Sequence, residues 1–299
     1  HDLTEEAMES IIKKADVLIE ALPYMQSFRG AVIVVKLGGS AMEDAAHVDG
    51  VLADVTFMEC AGMKPVIVHG GGKAISRGMR RGGIEPTFLH GLRVTCERSI
   101  RVVEKVIKEE VNPELVSVLR RRGAKAETLH GEQVLRVARK TGVDAVTGET
   151  MDWGFVGEPR DVDAEPIQAL LDRDIVPVIT PLGTGTDGRV HNVNADTAAA
   201  HVAAALKARK LAFLSDVPGL LRDPDDPASL LSTLHVNEVE DLIAKGVIGG
   251  GMLPKVESGI AALKAGVLKV HMIDGRMPHS LLLEIFTREG VGTEMIHNE

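Results

Sequence analysis

Two short aliphatic, β-branched runs, AVIVV at 31–35 and PVIV at 65–68, each stop at a glycine cluster, Gly38 with Gly39 and Gly70 with Gly71 and Gly72. A strand that carries no polar alternation has both faces covered, the condition of a parallel sheet flanked by helices. Further apolar runs at 175–179, 211–214 and 267–273 continue the theme, and helix-like stretches at 44–61, 98–121, 164–173 and 195–208 separate them. This rhythm predicts an α/β sandwich with a mainly parallel central sheet. Between 123 and 160 the pattern loosens into alternating pieces such as Val134, Arg136 and Ala138, which read as a hairpin-like insertion and not a separate domain. A helix precedes the first strand. Asp2 and Glu5 form a capping pair, Ile11, Ala15, Leu18 and Leu22 recur at helical spacing, and Pro23 ends the run. That helix must pack on something, either its own domain, the commoner outcome, or a second subunit.

The chain of 299 residues is 44% hydrophobic with a formal net charge of −9, a globular composition long enough for a large core. No apolar run approaches a membrane span. An acidic chain with 3% aromatic residues is a poor nucleic-acid binder, which needs a basic face and stacking rings. The two cysteines, Cys60 and Cys96, sit in no metal-ligand pattern, so neither a disulfide framework nor a zinc site is expected and a reducing cytoplasmic setting fits. No signal peptide is legible, and the start at His1 leaves upstream residues open.

Ligands of open α/β sheets gather at the carboxyl ends of strands. Lys36-Leu-Gly-Gly-Ser40 and His69-Gly-Gly-Gly-Lys73 lie there, and glycine N–H groups next to a helix start suit an anion. Neither is a P-loop or a dinucleotide fingerprint. Asn192 and Asn194 alternate ahead of an alanine-rich helix, so an extended backbone turns both amides to one side. Asp196, at the start of that helix, reads as its cap or as a functional carboxylate. Lys255 follows a triple glycine and a proline, and Arg93 offers a fork for a carboxylate. Two lysines, an arginine and glycine N–H groups form a cationic pocket in an acidic protein, the electrostatics of phosphoryl transfer to an anionic acceptor.

The ordered segments KLGG, HGGGK, HGLRVT, NVNAD, LSDVPGLL and GGMLPK, spread over about residues 25–298, resemble the N-acetylglutamate kinases of the amino acid kinase family. The resemblance implies a three-layer αβα sandwich in which residues 25–182 form the acetylglutamate-binding and dimerisation lobe. Residues 183–299 would form the ATP-binding lobe, and residues 1–24 an oligomerisation and regulatory helix. It implies that Lys36 and Lys255 neutralise the transferred phosphoryl group while Asp196 orients both. Gly38 and Gly39 would bind phosphate, Gly71 and Gly72 would line the acceptor site, Arg93 would clamp the α-carboxylate, and Asn192 and Asn194 would hold the rest of N-acetyl-L-glutamate. Asp216, Val217, Pro218, Gly219, Leu220 and Leu221, with Val247, Ile248 and Gly249, resemble the nucleotide site. The implied reaction uses ATP with Mg2+, without a protein metal site, to phosphorylate the γ-carboxylate of N-acetyl-L-glutamate, the second step of arginine biosynthesis.

The helix before the first strand, with segments at 271–276, 283–287 and 290–293, resembles the arginine-inhibited members. There Tyr24, His271, Glu284 and the backbone near Gly292 would hold L-arginine in a hexamer built as a trimer of dimers, and a PII-type protein is a further partner of such enzymes. Those members often read KYGG where this chain reads KLGG. Two alternatives stay open: an acetylaminoadipate-type kinase, whose acceptor is one methylene longer, and a catalytically silent amino-acid sensor of the same fold.

Overall fold

The computed structural model describes residues 5–144, 146–287 and 290–297. The expected Asp2–Glu5 capping pair lies outside the described residues. Helix α1 (Glu5–Phe28) leads into strand β1 (Val32–Leu37), then α2 (Ala45–Cys60), β2 (Lys64–His69) and α3 (Gly72–Arg81). A small hairpin of β3 (Phe88–Leu89) and β4 (Leu92–Arg93) precedes α4 (Glu97–Lys105), α5 (Asn112–Arg121) and β5 (Ala126–Leu129). The long pair β6 (Leu135–Val143) and β7 (Thr150–Val162) is followed by α6 (Glu165–Leu171), β8 (Val176–Ile179), β9 (Leu182–Gly185) and β10 (Val190–Val193). The chain closes with α7 (Ala195–Ala205), β11 (Lys210–Ser215), β12 (Thr233–His235), α8 (Val239–Ala244), α9 (Leu253–Lys264), β13 (Lys269–Asp274), α10 (Ser280–Phe286) and β14 (Thr293–Ile296).

Eight strands form one sheet in the order β12-β14-β13-β11-β1-β2-β8-β5. Every neighbouring pair is parallel except β13 with β14. Strand period 2 divides the central run between two cores. Ile33, Val35 and Leu37 pack with residues of α2, α5 and α10, whereas Val34 packs with α6, α7 and α9. The result is the expected three-layer αβα sandwich. The same alternation turns Lys36 towards α7, because it follows Val34 on that face.

Three local expectations change. The helix does not end at Pro23 but continues to Phe28. Proline removes one helical hydrogen bond, and packing of the final turn compensates. Phe28 is buried, its ring and that of Tyr24 meet Phe286 edge-on at 5.9 and 6.4 Å, and the Arg209 guanidinium lies 4.1 Å above Phe28. Packing on the chain's own domain does not extend to the earlier turns, where Ile11, Ile12, Val17, Leu18, Ile19 and Leu22 are exposed. The helical stretch at 98–121 contains a π-helical segment, Val106–Val111, between α4 and α5. The loosened region does form the β6–β7 hairpin, and β9 and β10 close with it into a four-stranded barrel.

Candidate active site

Asp196 lies in the first turn of α7, but Asn194 is the cap, its side-chain oxygen accepting from the Thr197 N–H at 3.1 Å. Asp196 is thereby free for the other role. Its Oδ1 lies 2.7 Å from Lys36 Nζ and its Oδ2 3.0 Å from Lys255 Nζ. Lys36 comes from the end of β1, and Lys255 from the first turn of α9, which Pro254 helps to start. Burial opposes the charge on Asp196, yet the two ammonium groups outweigh it and hold the carboxyl below its ordinary range. Two cations share one anion here, leaving a net positive charge.

Lys36, Gly38, Gly39, Gly71, Gly72, Arg93, Asn192, Asn194 and Asp196 line one cavity of about 200 Å³. Lys255 joins Asn194 and Asp196 along a wider cleft of about 1030 Å³ that opens between the β6–β7 hairpin and α9. The residues expected for catalysis and acceptor binding are therefore brought together. A Cβ on Gly71 would meet the end of the Ile107 side chain at 2.5 Å, so the π-helical segment packs directly on the glycine loop.

Arg93 lines the same cavity. Its guanidinium donates to the Gly72 carbonyl at 2.7 Å and the Ser76 hydroxyl at 2.8 Å and stands 4.7 Å above the Phe88 ring. It is buried, and among the described residues no carboxylate pairs with it. Burial, and then the charge of Arg80, lower its pKa from the ordinary arginine value.

Beneath the glycine loop, His69 is fully buried. Its Nδ1 donates to the Gly70 carbonyl at 2.8 Å, and its Nε2 accepts from Asn112 Nδ2 at 3.0 Å. The second Asn112 amide hydrogen goes to the Val178 carbonyl at 3.0 Å, and Thr128 donates to its oxygen. These bonds require a neutral imidazole, and burial lowers its pKa to about 4. His69 stood in a quoted segment without a role, and Asn112 gave no signal at all. What could have flagged them is polar residues inside otherwise apolar strand and helix patterns.

On the other side of Lys36, Ser40 donates to Asp216, and this bond holds the Asp216 carboxyl below its usual range. Asp216 follows β11, and the Gly219 backbone, at φ +140°, runs against Thr293. Leu220 and Ile248 bury their side chains in one hydrophobic core, so only their main chains are available to a ligand. Gly249 is extended and leads into the turn before α9.

The amino acid kinase family profile matches residues 31–274. The chain belongs to the amino acid kinase family. It is 47% identical to the acetylglutamate kinase of Symbiobacterium thermophilum over 96% of this chain and 99% of that one. Against the acetylglutamate kinase of Archaeoglobus fulgidus the identity is 45%, over 94% and 99%. Among solved structures, N-acetylglutamate synthase of Neisseria gonorrhoeae complexed with coenzyme A and N-acetyl-glutamate superimposes with a TM-score of 0.78 at 26% identity. The match covers 94% of this chain and 63% of the synthase, so this chain spans less than two thirds of that protein. The same synthase complexed with coenzyme A and L-arginine gives 0.77 at 27% identity, over 93% and 64%. As an amino acid kinase the chain is an enzyme, a phosphotransferase whose relatives are acetylglutamate kinases.

Further expected residues of this amino acid kinase gather around β13, an inner strand of the sheet. His271 of β13 and Glu284 of α10 are both buried, with His271 Nδ1 2.7 Å from Glu284 Oε1. Glu284 Oε2 accepts from the N–H groups of Val291 and Gly292 at 2.7 and 2.9 Å. Burial works against its ionisation, but His271 and the two N–H groups prevail and bring its pKa to about 2. Lys210, buried beside this cluster with its Nζ 5.3 Å from the Phe28 ring, is pushed down to about 8 by burial. It was not anticipated, since a lysine opening a strand gives no local signal. Tyr24 reaches the same region through Phe286.

Proposed function

We propose that this amino acid kinase transfers the γ-phosphoryl group of ATP to the γ-carboxylate of N-acetyl-L-glutamate in arginine biosynthesis. The observation that carries the reading is a single cavity lined by Lys36 and Asp196 and also by the buried Arg93, with which no carboxylate pairs among the described residues. An acceptor with two carboxylates fits that polarity: one is clamped by Arg93, and the other meets phosphorus near Lys36. The names of the relatives support the same acceptor.

The attacking carboxylate is ionised at neutral pH, so no general base is needed. As its oxygen bonds to phosphorus the bond to the ADP oxygen breaks, and negative charge shifts across a fixed set of donors. Lys36 and Lys255, already oriented by Asp196, meet that charge without reorganisation. Asp196 gives one oxygen to each lysine. Magnesium is read as a companion of the nucleotide phosphates, where it neutralises charge. Residues 216–221 and 247–249 are read as the nucleotide site, residues 25–182 as the acceptor lobe and residues 183–299 as the nucleotide lobe. Two free cysteines fit a reducing cytoplasm.

The cluster of Lys210, His271 and Glu284 favours a second, regulatory reading: L-arginine bound there as inhibitor, with Tyr24 linking the site to α1. Among the described residues Glu284 Oε1 has one partner, His271, and a lone pair left for a guanidinium. The apolar exposed stripe of α1 supports a hexamer of interlaced dimers. The test is ADP release with MgATP and N-acetyl-L-glutamate, with acetylaminoadipate as rival acceptor, with and without millimolar L-arginine, beside the mass in solution. Turnover on acetylglutamate that arginine suppresses in a hexamer is expected. Preference for acetylaminoadipate, or no turnover on either, overturns the acceptor assignment. Indifference to arginine removes the regulatory reading alone.

A further inference from the structure

Phe88, Gly91, Leu92 and Arg93, which line the small cavity, all belong to the β3–β4 hairpin. A two-residue-per-strand hairpin has little stability of its own, so what holds it decides where Arg93 stands. Its exit is tied by main chain: the Thr95 N–H donates to the Trp153 carbonyl at 2.8 Å, and the Phe155 N–H to the Thr95 carbonyl at 2.7 Å. Gly154, at φ +76°, permits this crossing, because a Cβ there would overlap the Thr95 carbonyl. The turn is tied by a side chain. Trp153 Nε1 donates to the Leu89 carbonyl at 2.9 Å, with His90 Nε2 3.6 Å from Asp144 Oδ2 beside it. The indole is buried, flanked by Gly142 on β6, and Lys140 Nζ lies 5.7 Å from the ring.

We infer that Trp153 is a positioning residue for the acceptor: through its bond to Leu89 it sets the β3–β4 hairpin, and with it Arg93, over the cavity. The inference rests on the acceptor reading above. Among the described residues no hydrogen bond or ring contact joins Trp153 to Lys36 or Lys255, so it governs acceptor binding and not the chemical step. It is also the one tryptophan in the chain, which makes its fluorescence a reporter of the hairpin.

The experiment pairs steady-state kinetics of the enzyme and its Trp153→Phe variant with fluorescence titration of the wild type. Phenylalanine keeps most of the apolar contact and removes the N–H. The expected result is a KM for N-acetyl-L-glutamate raised roughly five- to tenfold, with kcat and the KM for ATP within twofold. Wild-type emission should shift on adding N-acetyl-L-glutamate and not on adding ATP. Equal acceptor KM in both proteins, or parallel loss in both KM values and kcat, overturns the inference while leaving the acceptor reading intact. Emission unmoved by the acceptor also overturns it. Wild-type enzyme inert towards N-acetyl-L-glutamate overturns the acceptor reading and this inference together.

Discussion

The Cα of Gly38 lies against the ammonium end of Lys36, so that a Cβ at position 38 would overlap Nζ and crowd Cε. The Gly38 backbone is extended, at φ −171°, which any residue adopts. The glycine is therefore required for space and not for conformation. Gly38→Ala should leave the fold and melting temperature nearly unchanged while displacing Lys36 from Asp196. We expect kcat to fall about 10²-fold, measured by ADP release beside a thermal melt. An alanine variant with full turnover would mean that Lys36 is not needed where it stands.

Asp196 acts by holding two lysines, so Asp196→Asn keeps the shape and deletes the shared anion. Lys36 and Lys255 would then repel each other across a short gap. The expected outcome is a fall in kcat of about 10²–10³-fold. Lys36→Ala should cost a similar factor, and the double variant little more than either single one, because residues acting as a unit are not additive. Additive losses in the double-mutant cycle would break the unit apart.

Arg93→Lys keeps a positive charge but loses the fork, and its single ammonium cannot serve Gly72, Ser76 and a carboxylate together. The KM for the acylated amino acid should rise about 10- to 100-fold with the KM for ATP unmoved. An unchanged acceptor KM would place the α-carboxylate elsewhere.

His69 makes stability depend on acidity. Its folded pKa, lowered to about 4, lies below the unfolded value of 6.5, so the unfolded chain binds the proton more readily between those limits. Its contribution is complete above pH 6.5 and is lost as pH falls towards 4, in total about 3 kcal/mol. Protonation would also set an Nε2–H against the Asn112 amide hydrogens. Denaturant unfolding of wild type and His69→Gln across this range should show the variant less stable at pH 7 and the difference shrinking on acidification. A constant difference would show that His69 titrates normally.

The five strands at the centre of the sheet were legible because continuous apolar runs such as those at Val34, Val66 and Leu211 close at glycine or polar residues, whereas the short flanking strands β5, β12 and β14 carry no such run and were not anticipated. Lys36, Asp196 and Lys255 were legible as a set through the resemblance, and the structure brings the three within ion-pair distance. The end of α1 was misread at Pro23, since proline argues for a stop and the compensating partners, Phe286 and Arg209, lie far along the chain. Asp196 was a plausible cap, and sequence spacing does not decide between it and Asn194, two residues apart at one helix start. Trp153, Asn112 and Lys210 were silent, because each takes its role from a partner that no spacing rule connects to it.

From the sequence alone came the α/β class, the glycine breaks at the strand ends and the kind of charge the pocket carries. These depend on backbone preference and side-chain period, which act over a few residues. The tertiary structure decided which carboxylate bridges Lys36 and Lys255, why Gly38 must be small, how the indole of Trp153 holds Leu89, and that α1 leaves its apolar stripe uncovered. Those relationships are distances between distant parts of the chain. Distances of that kind are set by how helices pack on a twisted sheet, and no local pattern encodes them.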